Sequence, residues 1–216
     1  MPQRCIFLFW LCLASLTAFS QDKFVEGRDY EVVPVPFEAN PDELPIVVTE
    51  VFSYACPHCY DIEELLEKWI TQQDPEKVKF ERIHVVFNMD MVNLARAYLT
   101  SETLDVTNEI HLPIFSAIHK NGLRMNREDL LMRLFKNKGD IEFDQFKEVF
   151  DSPEITQKMR DNNGKARVWR IVATPTVVVD GRYTTTPSQV NSKRKVFDVV
   201  DFLVQKVLDE RADNSS

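Results

Sequence analysis

The residues from Ile46 to Phe52 are apolar almost throughout, with Glu50 as the exception, which is the pattern of a strand buried on both faces. Beyond it the period changes. Ile62, Leu65, Leu66, Trp69 and Ile70 recur at helical spacing and predict an amphipathic helix of about four turns, closed by Asp74-Pro75-Glu76. Val78 to Phe87 first alternates and then turns wholly apolar, a second strand. A strand, helix, strand order predicts a right-handed crossover joining a parallel pair. From Asn88 to about Ile171 the apolar positions keep a helical period: Leu94, Tyr98 and Leu99, then Ile114, Phe115 and Ile118, then Leu130, Leu131, Leu134 and Phe135, then Phe143, Phe146, Val149 and Phe150. Strands return at Thr176 to Val179 and after the Asp180-Gly181 pair, a hairpin turn signal. Val196, Val200, Leu203 and Val207 mark a final helix that begins at Ser192.

Local signals punctuate this outline. Tyr30 to Val33 reads as a short strand stopped, or confined to an edge, by Pro34-Val35-Pro36, and Asn40-Pro41-Asp42-Glu43 as a turn. Asn126 with Asp129 resembles a capping pair, and Ser152-Pro153 a helix start. Pro113 and Asn162-Asn163-Gly164 are expected to break or kink the helices that contain them. Lys193-Arg194-Lys195 is expected as a solvated turn, and the Asn214-Ser215-Ser216 sequon as a chance match in a frayed tail.

The chemistry gathers where the first strand meets the first helix, at Cys56-Pro57-His58-Cys59. Proline suits the first helical position, where its missing N–H would have no partner, so Cys56 falls at the helix N-terminus and Cys59 one turn inside. Residues three apart on a helix are neighbours and can form a disulfide. The unpaired N–H groups and the macrodipole favour an anion at Cys56, and a protonated His58 adds positive charge, so the Cys56 thiol is expected to be acidic. Reversible redox chemistry is the leading reading, against a static disulfide or half of a zinc site. Glu50 is either a proton relay beneath the pair or a strand-end residue with solvent access. His84, His111 and His119 show no metal-ligand spacing and read as ordinary core or surface histidines.

Composition narrows the setting. Met1 to Ser20 carries one charge, Arg4, an apolar stretch from Cys5 to Leu16, and small residues at Ala18 and Ser20, the form of a cleaved secretory signal peptide, with an uncleaved anchor as the alternative. Phe9-Trp10-Leu11 before Cys12 is too bulky for a lipidated cysteine. A cut after Ser20 leaves 216 − 20 = 196 residues, with Cys56 and Cys59 as their one cysteine pair. Loss of Arg4 takes the net charge from −8 to −9, which argues against nucleic acid and against broad attachment to an anionic membrane.

Taken together, Cys56-Pro57-His58-Cys59 followed by Tyr60, Glu50 six residues before Cys56, the helical stretch after the second strand, and Thr174-Pro175 before the Thr176 strand resemble the DsbA-type thiol:disulfide interchange proteins of the bacterial periplasm. The resemblance spans nearly the whole mature chain and implies an α/β thioredoxin fold with a helical insertion: a signal peptide at 1–20, a thioredoxin-like domain at 21–87 and 172–216, and the insertion at 88–171. It implies that Cys56 is the exposed nucleophile and Cys59 its buried partner, with Pro57 between them. It further implies that His58 stabilises the Cys56 thiolate, that Glu50 is a buried acid beside Cys59, and that a cis Pro175 faces the disulfide while Thr174 offers backbone groups to substrate. The implied partners are reduced secreted proteins and a DsbB-like membrane quinone reductase; the protein is expected to be monomeric, and neither cofactor nor metal is implied. Thr174 departs from the apolar residue of the best-known DsbA proteins and resembles the isomerases, although the short stretch before Ile46 has no room for an isomerase dimerisation domain. A secreted peptide-binding or chaperone module with an inert disulfide is the reading from another class.

Overall fold

A computed structural model describes residues 23–34 and 44–214. The signal peptide with Cys5 and Cys12, the Val35-Pro36 stop, the Asn40 to Glu43 turn and the end of the tail sequon lie outside the described residues. Within them a five-stranded sheet has the order β1-β5-β4-β2-β3, built from β1 (Glu31–Val32), β2 (Ile46–Phe52), β3 (Val78–His84), β4 (Thr176–Val179) and β5 (Tyr183–Thr185). The β2 and β3 strands pair parallel across α1 (Pro57–Ile70), as the crossover pattern predicts, and β4 runs antiparallel to β2. At the hairpin, Asp180 and Gly181 take φ of 54° and 64°, and Arg182 N donates to Val179 O at 3.0 Å. Positive φ at both central residues is what the Asp-Gly pair supplies.

Strand periodicity decides what faces what. Ile46, Val48, Glu50 and Phe52 share one face of β2, and Phe80, Arg82 and His84 the same face of β3, since the two are paired in register, Glu50 opposite Arg82. Ile46 and Val48 pack with Leu66 and Trp69 of α1 and with the stripe Val196, Val200, Leu203 and Val207 of α7 (Lys195–Asn214). Val51, Ile83 and Val178 point the other way, onto Ala166 and Trp169. Between β3 and β4 the chain runs through α2 (Val92–Thr103), α3 (Thr107–His119), α4 (Glu128–Gly139), α5 (Phe143–Phe150) and α6 (Pro153–Val168). Their apolar faces close around Phe115, Phe135, Phe146 and Phe150, and the same cluster takes in Phe52, Tyr54 and Cys59. The helical region therefore covers the start of α1 directly.

Three local expectations are corrected. Neither Pro113 nor Asn162-Asn163-Gly164 breaks its helix, so of that expectation the break is overturned. In α3, Ile110, Ile114 and Phe115 are fully buried on either side of the proline, and in α6 the Asn163 side chain accepts Val86 N–H at 3.0 Å, so tertiary contacts override weak local propensity. Asn126 and Asp129 form no capping pair: Arg127 stands at the cap position of α4, and Asp129 binds its guanidinium at 2.8 Å. The Lys193 to Lys195 run is more than a solvated turn. It precedes or just enters α7, with Lys193 on Asp61 at 2.7 Å and Lys195 on Asp29 at 3.3 Å. Ser152 caps α6 as expected, its hydroxyl accepting Ile155 N–H at 3.2 Å with Pro153 in the first turn.

Candidate functional site

Cys56 occupies the N-cap of α1, with an extended backbone and Pro57 inside the first turn. It is half-buried, Cys59 is fully buried, and both are thiols. The Thr174–Pro175 bond is cis, and this turn faces the cysteines: the Cys56 thiol donates to Thr174 O at 3.2 Å. The Cys56 pKa is pulled down to about 5, first by a hydrogen bond from the Cys59 thiol and then by the Thr174 side chain and the backbone N–H groups of Cys59 and His58, against the opposing effect of burial. Cys59 goes the other way, because burial and its role as donor to Cys56 hold its proton on. One sulfur is thus built to be a thiolate and the other a thiol. The His58 ring is 74% exposed, its Nδ1 3.9 Å from Asp61, and it meets the sulfur through its backbone N–H more closely than through ring charge.

Beneath the pair, Glu50 is completely buried. Its Oε2 receives Arg82 Nε at 3.1 Å, while Oε1 has no hydrogen-bond partner among the described residues. Burial, reinforced by the neighbouring Glu63 carboxylate and only partly offset by Arg82, pushes its pKa up to about 8. Solvent access at the strand end is thereby ruled out. An ionised Glu50 would also oppose ionisation of Cys59.

Several residues that the sequence did not single out belong to this neighbourhood. Arg82 also reaches Glu63 at 3.3 Å and Glu67 at 2.6 Å. Cys59, Glu63 and Glu67 recur at i, i+4 and i+8 on α1, a spacing that could have placed both carboxylates in the row below Cys59. The three histidines converge on Tyr54, two residues before Cys56. Tyr54 N–H donates to His84 Nε2 at 3.0 Å, His119 Nε2 donates to Tyr54 O at 2.8 Å, and the Tyr54 hydroxyl meets His111 Nδ1 at 2.9 Å. His119 also stacks on Tyr60, with ring centroids 5.5 Å apart and planes 13° off parallel. Beside Cys56, a largely apolar groove of about 390 Å³ runs between His58 and Ile62 on one side and Thr174, Pro175, Pro187 and Lys193 on the other.

Residues 47–203 match the DSBA-like thioredoxin domain. The chain is 28% identical over 198 residues to the thiol:disulfide interchange protein DsbA of Burkholderia cepacia, covering 92% of each. Among solved structures, DsbA of Pseudomonas aeruginosa superposes with a TM-score of 0.81 at 25% identity, over 91% of this chain and 99% of that one. The oxidoreductase DsbA of Xylella fastidiosa gives 0.78 at 32% identity, over 87% and 98%. An acidic, half-buried cysteine paired with a buried one on this fold can exchange disulfides, and the sequence match reaches through both. The chain belongs to the DsbA family of thiol:disulfide oxidoreductases, with Cys56 and Cys59 as its cysteine pair.

Proposed function

We propose that the protein is a dithiol oxidase that donates its Cys56–Cys59 disulfide to reduced proteins folding in the periplasm. A substrate thiolate attacks Cys56 Sγ and the Cys56–Cys59 bond breaks, leaving a mixed disulfide. A second substrate thiolate attacks its own sulfur in that bond, forming the substrate disulfide and releasing Cys56. Two electrons pass to the cysteine pair. Cys59 leaves the first step as a thiolate and takes a proton, for which Glu50, buried and protonated up to about pH 8, is the nearby source. Thr174 and the cis Pro175 offer backbone to the substrate chain, and the apolar groove receives its side chains. A DsbB-like membrane quinone reductase would restore the disulfide.

The observation that carries this direction is the acidic Cys56 thiol. A thiolate stabilised in the reduced protein is a good leaving group, and its stabilisation pulls the couple toward oxidising others. Thr174 before the cis proline, where this chain resembles the isomerases, favours the isomerase as the second reading, although its side chain contributes to the same stabilisation. Trapping with reduced, unfolded cysteine-containing proteins tests the assignment of roles. Cys59→Ala is expected to accumulate mixed disulfides and Cys56→Ala to form none; the reverse pattern would overturn it.

A further inference from the structure

The charges under Cys59 sit at different depths. Arg82 is one guanidinium facing the buried carboxyl groups of Glu50 and Glu63 and the half-exposed carboxylate of Glu67. With Glu50 protonated, Arg82 and Glu63 balance in the interior and Glu67 meets the guanidinium at the solvent edge, so the interior holds no cation to spare for a new negative charge nearby. His111, on α3 and 5% exposed, stands at its end. Its Nε2 lies 3.3 Å from Glu63 Oε1, and among the described residues neither atom has another partner. Its Nδ1 lies 2.9 Å from the Tyr54 hydroxyl.

This surrounding accepts either charge state without moving a heavy atom. The neutral ring can keep its proton on Nε2, toward the carboxylate, and accept from Tyr54; the imidazolium keeps that proton and donates from Nδ1 to the same hydroxyl oxygen, which serves as donor or acceptor. Burial, the largest influence, and Arg82 disfavour the imidazolium, while Glu63, by hydrogen bond and by charge, and Glu67 favour it; burial prevails and holds the ring below the ordinary histidine range. His84 on β3, itself buried and sensitive to the charge of His111, adds to the first group, and Tyr98 of α2 faces the ring at 6.1 Å. Opposed influences of this kind leave a small change in local field to decide the state.

Reduction supplies such a change. When a substrate dithiol becomes a disulfide it gives up two electrons and two protons. The cysteine pair takes both electrons and Cys59 one proton, while Cys56 stays a thiolate, so one proton is left over and one negative charge has appeared at the start of α1. We propose that His111 is a redox-linked positioning residue whose ring gains proton affinity when the disulfide is reduced, holding part of the proton that Cys56 does not take. The thiolate's field reaches it through a core of low polarisability that contains Cys59, Tyr54 and Phe115. This rests on the disulfide-exchange reading above and extends it to a residue of the helical region.

Nitrogen NMR of the His111 ring in the full mature chain, oxidised and dithiothreitol-reduced, across about pH 4 to 8 measures the affinity directly. The midpoint is expected to be higher in the reduced form by about half a unit or more, roughly threefold in proton affinity. By reciprocity, acidification through that window should raise the equilibrium constant for reduction by glutathione by the same factor relative to His111→Gln. Equal midpoints in the two forms, or a ring neutral in both throughout, would overturn the proposal, and the unaltered protein alone decides this if the variant does not fold. Failure to exchange with glutathione at all would instead strike the oxidase reading, and it would appear in the unaltered protein whatever the His111 ring does.

Discussion

At Cys56, several hydrogen bonds to one sulfur outweigh burial, and the donors belong to two segments far apart in sequence: α1, through Cys59 and His58, and the Thr174 turn. Thiolate absorbance at about 240 nm, followed through an acid titration of the reduced protein, is expected to give a midpoint near 5. Thr174→Val should raise it by removing a hydroxyl beside the sulfur, and His58→Ser should raise it less, because the backbone N–H that meets the sulfur is kept. A midpoint unchanged in both would remove these side chains from the mechanism. The sequence made Cys56, Pro57, His58, Cys59 and Glu50 visible because motif spacing and strand pattern are local, whereas Thr174 and Pro175 came only with the family resemblance. Arg82 and Tyr54 were not visible, since their parts depend on the β2 to β3 register and on α3 packing over the site.

Among the elements, α1 behaves as its pattern predicts, and α3 shows where local rules give out. Pro113 sits mid-helix, and what holds α3 in place is its buried face, packed on α2 and α4 and against the cysteine-bearing segment. Phe115 is central to that contact: fully buried, it lies 4.9 Å from the Tyr54 ring and 5.7 Å from that of Tyr60. Phe115→Ala is therefore expected to cost about 3–5 kcal/mol in denaturant unfolding. It should also speed alkylation of Cys59 under native conditions, because α3 covers that residue. A loss below about 1 kcal/mol with Cys59 still protected would mean that the helical region is not what seals the buried cysteine. Local signals were legible where a cap is made by neighbouring residues, as at Ser152, and misleading where a distant partner decides, as at Asn163, or where an unforeseen neighbour takes the side chain, as Arg127 takes Asp129.

For the molecule as a whole, two shifted groups give stability opposite pH dependences. Cys56 titrates near 5 when folded against an ordinary value of 9.0, so the unfolded reduced chain binds more protons between them and stability rises with pH there. That contribution is lost as pH falls through about 5. Glu50 is pushed up to about 8 against 4.5, so the folded chain binds more protons and stability falls as pH rises across that window. If the disulfide leaves Glu50 equally buried, subtracting the oxidised from the reduced stability cancels it and leaves Cys56. The reduced form is expected to be the more stable at pH 7, by about 1–2 kcal/mol once the half-exposure of Cys56 is discounted. The gap should close toward pH 5. The disulfide offers little in return, since only Pro57 and His58 lie in its loop. Denaturant unfolding of both forms at the two pH values checks this, and a more stable oxidised form at neutral pH would favour a reductase or an inert disulfide.

The order of elements along the chain was legible because strand and helix periods are strong signals, but beyond the β2–β3 pair and the Asp180-Gly181 hairpin the sheet was implied only by the family resemblance. Direction of electron flow is a different kind of property, set by hydrogen bonds to one sulfur and by the charge balance beneath the other. The reduction potential of the Cys56–Cys59 couple, from equilibrium with glutathione at pH 7, tests that property most directly. A couple more oxidising than about −180 mV, the level of protein disulfide isomerase, is the predicted result, and a value near the −270 mV or so of thioredoxin would contradict the account.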